Sequence, residues 1–214
     1  MDMNKINQIR HAYVSGRSDL APILLLHGTG GDEMAMLEVG AYLGADNPKL
    51  SIRGRVLEGR APRYFKRDED WNFDLDSLRD ETTWLLDSIK TLAKFYQLDL
   101  ENMIVVGFSN GANIAAHAML TREDAPFKTG VFFHAMELEK IDQPKITADT
   151  HAMLTFGAND PIVSEESFTS LADSLRLGGV KISVFETASG HALDNTEIQA
   201  AKLWLEGNDL LDVD

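Results

Sequence analysis

The segment Ala21–Leu26 reads APILLL, apolar at every position and without the polar alternation of a half-exposed strand. Such a strand must be covered on both faces, and a parallel sheet wrapped by its own crossover helices does this. The rest of the chain repeats the theme. Strand-like runs at Leu50–Val56, Met103–Val106, Gly130–Phe133, Ala152–Phe156 and Val180–Phe185 are interspersed with helical patterns at Asp32–Leu43, Leu75–Tyr96, Asn110–Leu120, Glu165–Leu177 and Glu197–Leu205. In the longest of these, Leu78, Leu85, Ile89, Leu92 and Tyr96 share one stripe of a helix. Asp194 and Glu197 stand three apart, the spacing of a capping box at the start of the last helix. The expected fold is α/β: a mostly parallel central sheet with helices on both faces. At 214 residues and 44% hydrophobic content, one domain over residues 1–214 with no separate cap domain is expected.

Composition narrows the function. A formal net charge of −14 repels nucleic-acid backbones and anionic membrane surfaces, so neither partner is expected. The absence of cysteine excludes disulfides, thiolate metal sites and a cysteine nucleophile. No pair of histidines has metal spacing with carboxylates nearby, and neither a metal nor a cofactor is expected. The N-terminal MDMNKINQIRHAYV lacks the apolar core of a signal peptide, and no run of about 18 apolar residues occurs, which points to a cytoplasmic protein without membrane insertion.

The chemistry is concentrated where strands end. Gly107-Phe108-Ser109-Asn110-Gly111 fits G-x-S-x-G between a buried strand and a helix, the setting of a nucleophile elbow. A serine hydroxyl needs a histidine base and an orienting acid, and in this architecture both follow it in the chain, acid first. Asp160 in GANDPIV follows the Ala152–Phe156 strand, and His191 in ETASGHAL follows the Val180–Phe185 strand. Asn-Asp-Pro is also ordinary turn chemistry, and His191 read alone is a loop histidine; their order after Ser109 joins them as a triad.

A second glycine-rich segment, His27-Gly28-Thr29-Gly30-Gly31, follows the first strand. It lacks the Lys-Ser/Thr ending of a phosphate-binding loop, and an oxyanion loop fits better. The backbone N–H groups of Thr29 and Asn110 would together hold the negative oxygen of a tetrahedral intermediate. His27 reads as a brace for this loop. His134 ends the Gly130–Phe133 strand and is a candidate either for substrate contact or for packing behind the site.

HGTGGDE, GFSNGANIA, GANDPIV and SGHAL together resemble the motifs of the phospholipase/carboxylesterase branch of the α/β hydrolases, which includes the acyl-protein thioesterases. Within the branch the chain is most similar to small bacterial hydrolases associated with methylhydroquinone resistance. The resemblance spans nearly the whole chain. It implies an α/β-hydrolase fold, Ser109, Asp160 and His191 as triad, Thr29 and Asn110 as oxyanion donors, and a homodimer. The implied activity is hydrolysis of carboxylic esters of small or flexible substrates through an acyl-enzyme. A thioesterase or lysophospholipase with the same triad, and a catalytically silent ligand binder on the same fold, are the alternatives. Acyl-protein thioesterases usually carry glutamine after the serine, where this chain has Asn110, which places ester ahead of thioester.

Residues 57–74 form a connection longer than compact domains usually need, and it carries an aromatic and basic cluster in an acidic protein. Tyr64, Phe65 and Trp71 are candidates for the pocket wall; surface covering or a dimer contact is the competing reading. If Trp71 lines the acyl pocket, Trp71→Ala will shift the acyl chain-length profile measured with a series of p-nitrophenyl esters. An unaltered profile would remove it from the wall.

Overall fold

The computed structural model describes residue 6, residues 8–70 and residues 72–212. Its frame is a seven-stranded sheet in the order β1-β3-β2-β6-β7-β8-β9. The strands are β1 (His11–Val14), β2 (Ile23–Leu26), β3 (Lys49–Ile52), β6 (Ile104–Phe108), β7 (Thr129–Phe133), β8 (His151–Gly157) and β9 (Lys181–Thr187). β4 (Val56–Glu58) and β5 (Ala61–Arg63) form a separate antiparallel hairpin. Only the β1–β3 pairing in the large sheet is antiparallel; from β3 to β9 every neighbour is parallel.

The reason β2 lacks alternation is now visible, because successive side chains enter different cores. Leu24 and Leu26, with Val105, Phe132 and Leu154, pack in one cluster with Leu85 and Ile89 of α2 (Leu75–Tyr96), Ile114 of α3 (Asn110–Thr121) and Leu171 of α4 (Glu165–Leu177). Ile23 and Leu25, with Ile104, Val106 and Val131, pack on the other face with Leu43 of α1 (Leu37–Leu43) and Ala201 and Leu205 of α5 (Asn195–Gly207). Burying each such side chain contributes roughly 1.5–3 kcal/mol, so both faces are needed to hold the sheet.

Most elements lie where the pattern predicts them, and the departures have local causes. The helix expected over Asp32–Leu43 begins at Leu37, because the Asp32 carboxylate accepts from Met34 N–H and holds the chain in turns. The strand expected over Leu50–Val56 breaks after Ile52, where Gly54 passes so close to Arg63 that a Cβ would lie 2.4 Å from its carbonyl oxygen. The long connection over 57–74 contains the β4–β5 hairpin, turned at Gly59 with φ 61°. The edge strand β1 has too little apolar pattern to be read from the sequence alone.

The chain leaves β2 toward β3 on one side and returns through β6 on the other, so β2 and β6 flank a topological switch point. In open parallel sheets this is where a crevice opens at the carboxyl ends of the strands. α3 starts there, and a Cβ on Gly111 would lie 2.4 Å from the Leu26 carbonyl oxygen and 2.6 Å from that of His27. Alanine ordinarily favours a helix over glycine by about 1 kcal/mol; here the backbone contact reverses the sign. Gly111→Ala is expected to cost about 1–3 kcal/mol, lowering Tm by about 3–10 °C in thermal unfolding. An unchanged or raised Tm would contradict the close approach.

Candidate active site

Ser109 caps the amino end of α3 with φ 50° and ψ −115°, a backbone conformation that residues with a side chain rarely adopt. The strain is held by its surroundings. Ser109 N–H donates to the Phe133 carbonyl at 2.9 Å, and the Ser109 carbonyl accepts from Asn113 N–H at 2.8 Å. A Cβ on Gly107 would lie 2.6 Å from Ala112 N, so the strand can approach the helix only with glycine there. The hydroxyl is thereby lifted off the carboxyl end of β6.

The structure brings Ser109, His191 and Asp160 together. Ser109 Oγ lies 2.7 Å from His191 Nε2, and His191 Nδ1 lies 2.7 Å from Asp160 Oδ2. A carboxylate oxygen only accepts, so Nδ1 carries the ring proton and Nε2 presents a lone pair to the hydroxyl. The loops bearing Asp160 and His191 follow the neighbouring strands β8 and β9 and are stitched together: Ala158 N–H donates to Thr187, Asn159 N–H to Ser189 and the Asn159 side chain to Ala188. Asp160 also accepts from Ile162 and Val163 N–H at 2.8 and 3.0 Å. Burial alone would raise the pKa of Asp160, but these backbone donors and the two histidines around it outweigh that and hold it below the usual carboxylate range.

His134 is buried at the edge of the cleft around Ser109, and of the two roles expected for it its hydrogen bonds favour support behind Asp160, since both ring nitrogens face carboxyl groups. Its φ of 52° turns the ring inward at the end of β7, a left-handed conformation in which histidine is enriched. Nδ1 lies 2.8 Å from the same Asp160 Oδ2 that His191 uses, and Nε2 lies 3.1 and 3.2 Å from the two oxygens of Glu197. With a carboxyl group at each nitrogen, the ring can donate to both only as the imidazolium. Burial works against that charge, but Glu197 and Asp160 outweigh it and raise the pKa of His134. The side chains of His134, Asp160 and Glu197 are all 0% exposed.

Glu197 is a site residue that sequence reasoning missed. It was legible only as the partner of Asp194 in the capping box, which is present: Asp194 accepts from Thr196 and Glu197 N–H, and the Glu197 carboxylate accepts from Asp194 N–H. His134, Asp160 and His191 also have donor atoms close enough to share a metal ion. Their 2.7–2.8 Å separations from the common oxygen are hydrogen-bond distances, and an ion bound at about 2.0–2.1 Å would have to displace those bonds.

On the β2 side, Thr29 and Asn110 line the same cleft as Ser109 and His191. Among the described residues neither backbone N–H makes a hydrogen bond. His27 is buried beneath this loop: Nδ1 donates to the Gly28 carbonyl at 2.6 Å, and Nε2 accepts from Gly54 N–H at 3.0 Å. Burial pushes its pKa down, consistent with a neutral ring that needs one donor and one acceptor.

Tyr64 and Phe65 do not line the cleft; both side chains are fully buried. Residues 61–63 pair in the hairpin, which turns the following two side chains into the core rather than toward solvent. The Tyr64 hydroxyl donates to Ile52 and accepts from His27 N–H, while Tyr64 N–H donates to Asn110 Oδ1 at 2.7 Å. Phe65 packs edge-on against Phe73. The cleft wall from this segment is instead Arg63, Arg67 and Phe73. Trp71 lies outside the described residues.

This geometry has relatives. A model of the family described as Serine hydrolase (FSH1) matches residues 58–201. MhqD of Bacillus subtilis (strain 168), a hydrolase by name, is 36% identical over 197 residues, covering 92% of this chain and 97% of its own. The structure of YahD with malic acid superposes with a TM-score of 0.89 at 40% identity, over 93% of this chain and 98% of that one. The carboxylesterase of Bacillus cereus superposes with a TM-score of 0.89 at 32% identity, over 93% and 94%. The chain belongs to the FSH1 serine hydrolase family, as an esterase-type enzyme on the α/β-hydrolase fold.

Proposed function

We propose that the protein is a carboxylesterase for small or flexible esters, acting through Ser109, His191 and Asp160. The observation that carries this reading is the unbroken line of two 2.7 Å contacts from hydroxyl to imidazole to carboxylate. His191 Nε2 takes the proton as Ser109 Oγ attacks the ester carbonyl, and the carbonyl oxygen becomes an oxyanion facing the N–H groups of Thr29 and Asn110. The same nitrogen returns the proton to the departing alcohol. Water, deprotonated by His191, then attacks the acyl-enzyme and releases the acid.

His134 completes the electrostatics as a positioning residue. With His191 neutral, one imidazolium and two carboxylates leave the buried cluster at −1. When His191 receives the serine proton, the cluster becomes neutral. The charge that develops during attack therefore meets a counter-charge already in place, and Asp160 cannot turn away because His134 holds the same oxygen.

Two experiments follow. A fluorophosphonate should label the wild-type protein at Ser109, and Ser109→Ala should lose labelling and at least about a thousandfold in kcat/KM on p-nitrophenyl esters. Labelling elsewhere, or activity retained by the variant, would overturn the assignment. The second concerns His134, whose pKa is raised in the fold. A raised histidine stabilises fully below its unfolded value of about 6.5 and loses that contribution as pH rises through the folded value. His134→Asn, which tolerates the left-handed backbone, should cost about 3–5 kcal/mol near pH 6. The Tm gap from wild type should narrow as pH rises above about 6.5. A gap independent of pH would mean that the ring is not charged.

A further inference from the structure

Phe108, the second residue of the G-x-S-x-G turn, is bonded to the nucleophile and also touches the other working parts of the site. Its ring lies 5.4 Å from that of His191, centroid to centroid, with the planes tilted by 33°, and meets His134 edge-on at 5.8 Å. The same ring meets Gly28, the residue before Thr29. A Cβ on Gly28 would lie 2.7 Å from Phe108 Cδ1 and 3.1 Å from Cε1, and among the described residues the three nearest atoms all belong to Phe108. Gly28 lacks the left-handed backbone of Gly30, two residues on, where φ is 86°. What calls for glycine at position 28 is therefore the ring.

This packing matters because His191 is lightly tethered. Among the described residues its ring makes two hydrogen bonds, from Nδ1 to Asp160 and between Nε2 and Ser109. The second is lost once Ser109 Oγ bonds to an acyl carbon, since an ester oxygen has no proton to give and neutral Nε2 has none either. At that stage Asp160 holds the ring by one nitrogen, and a ring so held can swing about that bond. What limits the swing is the aromatic surface against it, Phe108 at a tilt and His134 edge-on at 5.3 Å. His134 is itself fixed by Asp160 and Glu197. The Phe108 ring carries no polar group, so packing alone sets it, and Gly28 is part of that packing.

Building on the esterase reading, we infer that Phe108 is a positioning residue whose ring couples the seat of the oxyanion loop at Gly28 to the aim of His191, above all while the acyl-enzyme awaits water. Stopped-flow hydrolysis of p-nitrophenyl acetate, which separates acylation from deacylation, tests this in Phe108→Val, Gly28→Ala and the double variant. Phe108→Val should slow deacylation about tenfold or more and acylation less, so that kcat falls without a rise in KM. Gly28→Ala, by pushing the ring, should slow deacylation severalfold, but by less than about twofold where Phe108→Val has already removed the ring. Phe108→Leu takes the place of Phe108→Val if the latter does not fold. Unaltered rates in a folded Phe108 variant, a loss confined to acylation, or a Gly28→Ala loss of equal size in both backgrounds overturns the proposal while leaving the esterase reading intact. If no ester is turned over and Ser109 is not labelled, the esterase reading fails by itself. The imidazole signals of His191 in NMR then decide the coupling: a shift on Gly28→Ala that vanishes in the Phe108→Val background supports it, and an equal shift in both backgrounds, or none in either, overturns it.

Discussion

The contact on which the site rests is the approach of α3 to the end of β2, where Gly111 lies against the carbonyls of Leu26 and His27. No side chain fits between them. Because the helix is pressed onto the neighbouring strand, the turn before it must be tight, and Ser109 adopts a backbone conformation that it would not choose alone. The same contact sets the distance between Ser109 and the loop carrying Thr29. The His27 ring then pins that loop to Gly54, and the Asn110 oxygen pins the elbow to Tyr64. Three separated parts of the chain are fixed to one another by hydrogen bonds from backbone N–H groups to buried side chains, which tolerate little drift in geometry.

Strand order does the remaining work. Ser109, His134, Asp160 and His191 follow β6, β7, β8 and β9, which are adjacent in the sheet, and Thr29 follows β2 next to β6. Parallel strands end on the same edge, so residues scattered over more than half of the chain converge without any long loop having to fold back. Asp160 sits at the centre, with its Oδ2 shared between two imidazoles and its Oδ1 held by two backbone N–H groups. A buried carboxylate so fully occupied keeps its charge, and it orients each ring as firmly as each ring orients it.

The serine, the acid and the histidine could be picked out in the sequence because each follows a strand whose apolar run is unmistakable, and chain order then restricts the pairing. The long helix Leu75–Tyr96 was equally legible, since its stripe is continuous and Asp74 caps it through Ser77 N–H. What could not be read depended on partners distant in sequence. Glu197 meets His134 across 63 residues, and nothing in its local spacing signals more than a helix cap. Tyr64 and Phe65 looked like pocket residues because an aromatic cluster in an irregular stretch has no periodicity to show which way it faces. The short hairpin before them, with three-residue strands, decides that instead. Arg63 was passed over for the opposite reason: a charged residue in an exposed-looking segment is ordinarily solvated, and only its burial distinguishes it.

The two duties of Glu197 have a consequence for how such proteins can diversify. One carboxyl group both caps the last helix and faces the ring behind Asp160. The C-terminal segment is therefore not an interchangeable module. Recombination that swapped it for a relative's helix with a different cap would preserve the sheet yet leave the buried His134 ring without its second carboxyl partner, so the end of the chain and the inner pair of strands must change in concert or not at all.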